Sequence, residues 1–93
     1  MDAFKHIAGG QWYVPNVSGS KSNTVWTQNP TGGEMIVADC SSKATPLATQ
    51  RANAQLITFA PEMFLILEDI AQRGFDDQAQ DNVKHLMRRM RHA

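Results

Sequence analysis

The spacing of apolar and polar residues changes part-way along this chain. Up to Pro46 the apolar residues fall in short β-branched or aromatic runs, punctuated by glycine and proline. Beyond it they recur every three or four residues. The first pattern predicts strands and turns, the second helices. Residues 23–28, "NTVWTQ", hold the β-branched and aromatic side chains that suit a pleated surface. "NPTGG", residues 29–33, follows. Pro30 presets a turn there, and the glycines accept positive φ. "EMIVADC", residues 34–40, reads as a second strand, so the segment predicts a β-hairpin with a loop of about five residues. "QWYVPNV", residues 11–17, predicts a third strand, with "SGSKSN", residues 18–23, as its loop. Pro15 has no N–H to donate, which confines that strand to an edge or interrupts it. The sum is a three-stranded antiparallel meander with one face to cover.

The helical pattern starts after Pro46. In "LATQRANAQLITF", Ala48, Ala52, Leu56 and Phe59 lie near one stripe, with Asn53 and Ile57 beside it. Pro61 interrupts the periodicity. It has no N–H for a carbonyl four residues back and disfavours helical geometry at Ala60. It does suit the first turn of a new helix, where Glu62 meets the positive end of the dipole. Met63, Ile66, Leu67 and Ile70 then fall at i, i+3, i+4 and i+7, the spacing of a buried face. Gly74 after Arg73 is a natural C-cap. Leu56, Phe59, Met63, Ile66 and Leu67 are accordingly expected at a helical corner closing over the sheet. A third helix is expected from the acidic cluster Asp76, Asp77 and Asp81 to the basic one of Lys84, Arg88, Arg89 and Arg91, with Val83, Leu86, Met87 and Met90 as its stripe. Acid first and base last is the order the macrodipole favours. The predicted fold class is α+β: a three-stranded meander followed by three helices packed on one face.

Length and composition make this one domain of 93 residues, a strand-and-turn half at 1–46 and a helical half at 47–93. A chain of this size has a thin core, and its single cysteine, Cys40, allows no internal disulfide. Association with further copies is then a natural source of extra burial. The formal net charge is zero, so no whole-protein field draws in nucleic acid or anionic lipid. The longest apolar run, "MFLIL", is far too short to span a membrane, and the N-terminus does not read as a secretory signal. A soluble, cytoplasmic protein without membrane contact is expected.

At "ANAQLITFAPEM", residues 52–63, the chain resembles a widespread group of short bacteriophage and prophage proteins. Their C-terminal half carries Ala-Asn-Ala-x-Leu-Ile, a few small residues, then Ala-Pro-Glu and a leucine-rich helix. "EMIVADC" is similar to the apolar strand upstream in that group. The likeness covers roughly residues 34–70. This chain departs from it at Thr58 and Phe59, where alanine is usual. The group defines no catalytic residues, so the resemblance implies a setting, the infected host cell, rather than an active site.

The residue types that could carry chemistry support the same reading. His6, His85 and His92 have no ligand-type neighbour at metal spacing, and they read as exposed polar residues. Asp39-Cys40-Ser41-Ser42 gathers a thiol, hydroxyls and a carboxylate, but no base is placed beside them by the sequence. Cys40 reads as a small apolar residue at a strand end. The glycines of "AGGQW" and "TGGEM" read as turns, not as a phosphate loop. No catalytic residue, metal or cofactor is expected. Arg88 and Arg89 are the best candidates for an anionic ligand, with Trp26 as an aromatic platform. Phe64 and Leu65 widen the apolar stripe of the second helix and are the candidate oligomer interface. The functional expectation is a non-enzymatic phage accessory protein, forming a homo-oligomer, that counters host defence by blocking a host protein or sequestering a small anionic signal. The alternative is a nucleic-acid-binding regulator using the basic end of the third helix.

Overall fold

A computed structural model describes residues 10–15 and 23–92. The chain divides into two compact units, Met1–Thr58 and Phe59–Ala93. The architecture is α+β, with two strands and three helices among the described residues.

In the first unit, β1 (Thr24–Gln28) pairs antiparallel with β2 (Glu34–Asp39). The loop of residues 29–33 closes as its composition predicts. The Asn29 N–H donates to the Gly33 carbonyl and the Gly32 N–H to the Asn29 carbonyl, each at 2.9 Å. The Asn29 side chain accepts from both the N–H and the hydroxyl of Thr31, the local bond that makes asparagine a turn former. Gly33, with φ of 75°, takes a left-handed backbone that a side chain would strain. Val25 pairs with Ala38 and Trp26 with Ile36, so Val37 is the extra residue of a β-bulge.

A third strand is not formed among the described residues. Tyr13 and Trp26 exchange both backbone bonds, at 2.9 and 2.8 Å, and this single bridge is the extent of the pairing. Pro15, two residues on, has no donor with which to extend the ladder. Residues 16–22, covering the end of the expected strand and nearly all of its loop, lie outside the described residues.

The first helix, α1 (Leu47–Thr58), packs on both strands. Its buried residues are Gln50 and Ala54. The expected stripe is therefore corrected: Ala48 and Ala52 are exposed, and Leu56 is 51% exposed. The reason lies in Gln50. Its amide nitrogen donates to the carbonyls of Ser42 and Thr45, at 2.8 and 2.7 Å, and its oxygen accepts from Asn23 at 2.7 Å. These bonds turn the Gln50–Ala54 side of α1 inward, where Val25 and Thr27 are also fully buried. Thr27 satisfies its hydroxyl on the Gln11 carbonyl.

The second unit is a helical hairpin of α2 (Ala60–Arg73) and α3 (Asp77–Arg91). Thr58 ends α1 with its hydroxyl on the Gln55 carbonyl at 2.6 Å. Phe59 then stands outside both helices, and Pro61 occupies the first turn of α2, as its missing N–H dictates. Gly74, at φ 86°, caps α2 by donating to the Ile70 carbonyl. Asp76 caps α3, its side chain accepting from the Ala79 N–H at 2.8 Å.

Candidate binding surface on the helical unit

Two arginines pin the hairpin at opposite ends. Arg73, in the last turn of α2, binds Asp69 at 2.6 Å and reaches Asp76 at the start of α3 at 3.2 Å. Arg89, in the last turn of α3, binds Glu62 in the first turn of α2 and lies 5.7 Å from the centre of the Phe59 ring. The helices therefore run antiparallel. The hydrogen bond from Arg73 holds the Asp69 carboxyl below its ordinary range, and the same bond raises the Arg73 guanidinium.

The core between these pins is small. On α3, Ala79 and Leu86 are buried and Val83 and Met90 half-buried, while Met87 is 39% exposed. No residue of α2 is buried. Glu62, Leu65, Ile66 and Asp69, spaced i, i+3, i+4 and i+7, share one side of α2 and line a groove of about 310 Å³ with Asn82 and His85 of α3. The opposite side carries Phe64, Leu67 and Ala71 at i, i+3 and i+7. The expected face Met63–Ile66–Leu67–Ile70 is thus split. Met63, Ile66 and Ile70 are half-buried, whereas Leu67 is 64% exposed. A helix apolar on several sides, with one small neighbour, has more apolar surface than that neighbour can cover.

The sequence-predicted site residues separate. Arg88 and Arg89 are adjacent on α3; of the two, Arg89 is taken by Glu62, and Arg88 has no ion pair among the described residues. Trp26 belongs to the strand unit. It is half-buried, and its indole N–H donates to the Thr24 hydroxyl at 2.8 Å. Phe64 is half-buried; Leu65 is 61% exposed on the rim of the groove. His85 and His92 are exposed, and Cys40 is half-buried just past β2. His6 lies outside the described residues.

Two arrangements are not evident from motif reading. One is the Phe59–Arg89–Glu62 cluster, for which helical polarity alone was the available signal. The other is a charged stripe on α3. Asp77, Asp81, Lys84, Arg88 and Arg91 fall at i, i+4, i+7, i+11 and i+14, and all are exposed. The stripe is acidic along its first half and basic along its second.

No family model, curated protein or solved structure matches this chain. What the surface can do therefore rests on its own chemistry. Among the described residues no group of three or more His, Cys, Asp or Glu could hold a metal ion. None of their helices is long and apolar enough to cross a membrane. The unit instead offers apolar side chains left in solvent on α2 and, on the side of α3 away from its buried residues, a row of charge that is acidic at one end and basic at the other.

Proposed function

We propose that this chain acts by binding protein through its helical unit, first of all a second copy of itself, and that it is a phage accessory factor that blocks a component of host defence. The observation that carries the binding reading is the exposure of Leu65, Leu67 and Phe75 at 61–64% around a helix with no buried residue. Exposed apolar side chains grouped on one small unit mark an interaction surface. The α3 stripe favours a second copy as the occupant. In an antiparallel pair, Asp77 and Asp81 of one α3 face Arg88 and Arg91 of the other, with Lys84 at the centre. A net charge of zero adds no repulsion between copies. The phage setting and the host target rest on the resemblance at residues 52–63.

Of the two modes of action expected, protein blocking has the stronger support. Sequestration of an anion would use Arg88 and Arg89, and Arg89 is already neutralised by Glu62. Sedimentation velocity at tens of micromolar tests self-association: a dimer or larger species is expected, and a monomer overturns it. Native mass spectrometry of the protein purified from infected cells tests the host partner, since a co-purifying host protein is expected and its absence removes the blocking role.

The nucleic-acid reading is favoured by one observation: Lys84, Arg88 and Arg91 share an exposed face without ion pairs among the described residues. Asp77 and Asp81 continue the same face and repel phosphate. Salt-dependent binding to DNA would support this reading, and no binding at low salt removes it.

A further inference from the structure

The strand unit holds a second cleft, separate from the helical surface. It has a volume of about 430 Å³ and lies between the β2–α1 loop and α1. Asp39, Cys40, Ser41, Ser42 and Thr45 form one wall; Asn53, Leu56 and Ile57 of α1 form the other. The loop wall is held by the Gln50 bonds to the carbonyls of Ser42 and Thr45, and by the Cys40 N–H on the Asn23 carbonyl.

The cleft sets one carboxylate among hydroxyls and an amide that can donate or accept. Among the described residues no lysine, arginine or histidine lines it, and the one charged residue is Asp39. Asp39 Oδ1 accepts from both the hydroxyl and the N–H of Ser41, while Oδ2 takes no hydrogen bond from the described residues. These bonds, the hydroxyl first, hold the carboxyl below its ordinary range, so it stays ionised at neutral pH. Behind Ser41 lies a further acceptor. Asn23, which does not itself line the cleft, is 6% exposed; its side-chain nitrogen bonds Gln50 and, at 3.3 Å, the Ser41 hydroxyl, and its Oδ1 has no partner among the described residues. The amide cannot reverse to satisfy itself. Gln50 must turn its nitrogen to the two loop carbonyls and its oxygen to Asn23, which requires a donor there.

We propose that this cleft binds an alkylammonium group: a primary ammonium on a short aliphatic chain, carried by a free diamine or by a lysine side chain. Each feature narrows the ligand. Among the described residues the Asp39 carboxylate, with no cation beside it on the cleft wall, favours a cation over an anion. A single carboxylate is too few ligands for calcium or magnesium. With Oδ1 already occupied, Asp39 offers one oxygen rather than the pair that a guanidinium grips, and a compact ammonium needs only one. Leu56, 51% exposed, and half-buried Ile57 supply apolar surface for the aliphatic stem.

The test is a titration of the full-length, isotope-labelled protein followed by amide NMR, with three probes: pentane-1,5-diamine, an end-blocked peptide with one central lysine, and hexanoate as the anionic counterpart. Either amine should shift the amides of residues 39–45 and 53–57, while hexanoate leaves them in place. The tighter of the two amines identifies the source of the group. Asp39→Asn should weaken binding about tenfold by removing a charged acceptor. Leu56→Ser should weaken it a few-fold with the loop amides unmoved in the free protein. No shift with either amine, equal shifts with hexanoate, or undiminished binding by Asp39→Asn overturns the proposal.

Discussion

Replacing Gln50 by leucine keeps its bulk but leaves the Ser42 and Thr45 carbonyls and the Asn23 amide without the partner they have now. The abandoned Asn23 amide is buried and costs about 1–3 kcal/mol, and the two part-buried carbonyls, which water can reach, cost less, so Gln50→Leu should lower unfolding stability by about 2–4 kcal/mol in urea titration. A loss below half a kilocalorie would mean that water serves those groups equally well. Helix ends give smaller, cleaner effects. Asp76→Ala removes the side-chain bond to the Ala79 N–H and should cost about 1 kcal/mol. Asp76 was legible only as part of the acidic start of α3, which the macrodipole favours; that it is the residue that caps came from the structure. Gln50 was not legible, because a glutamine inside a helix is ordinarily solvated and its three partners lie in other segments.

At the scale of elements, the two pins of the helical hairpin respond differently. Arg89→Met removes an ion pair that is nearly half exposed and a ring contact, and should cost about 1 kcal/mol. Asp69 belongs to the other pin and carries a pH signature. Its folded-state carboxyl titrates below the unfolded one, as does that of Asp39. Their contribution is therefore fully present above the unfolded carboxylate range and is lost as pH falls through the folded values. Thermal melting should be flat from neutral pH down to about 4 and fall below it, with Asp69→Asn reducing the acid-side slope. An unchanged slope in that variant would show that other carboxylates set it. The elements themselves were largely readable. The hairpin loop, the start of α2 at Pro61 and the Gly74 stop follow from backbone chemistry that needs no tertiary partner. The third strand failed because sheet pairing depends on what lies alongside, and only Tyr13 among residues 10–15 finds a pairing position.

For the whole molecule the decisive quantity is assembly. Leu67→Glu places a charge on a side chain that is 64% exposed in the isolated chain, so it should change the unfolding free energy by less than about 0.5 kcal/mol. The same change should shift sedimentation toward monomer if α2 carries the contact; an unaltered oligomer would move the interface elsewhere. The composition seam near residue 46 marks the start of α1, whereas the chain passes between its compact units at Thr58 and Phe59. The first helix thus belongs with the strands, because Gln50 ties it to Asn23 and to the loop before it. Local sequence set the bounds of the hairpin and of the three helices and which helix ends carry charge, but not the pairing of residues 11–17, since turns, caps and proline act over three or four residues. Only the tertiary structure decided which faces are covered. It turned Gln50 and Ala54 of α1 inward, left Leu56 and Leu67 in solvent, and neutralised Arg89. Burial is a contest among all the apolar faces a chain offers, and hydrogen bonds between distant segments settle it where periodicity leaves the faces nearly equal.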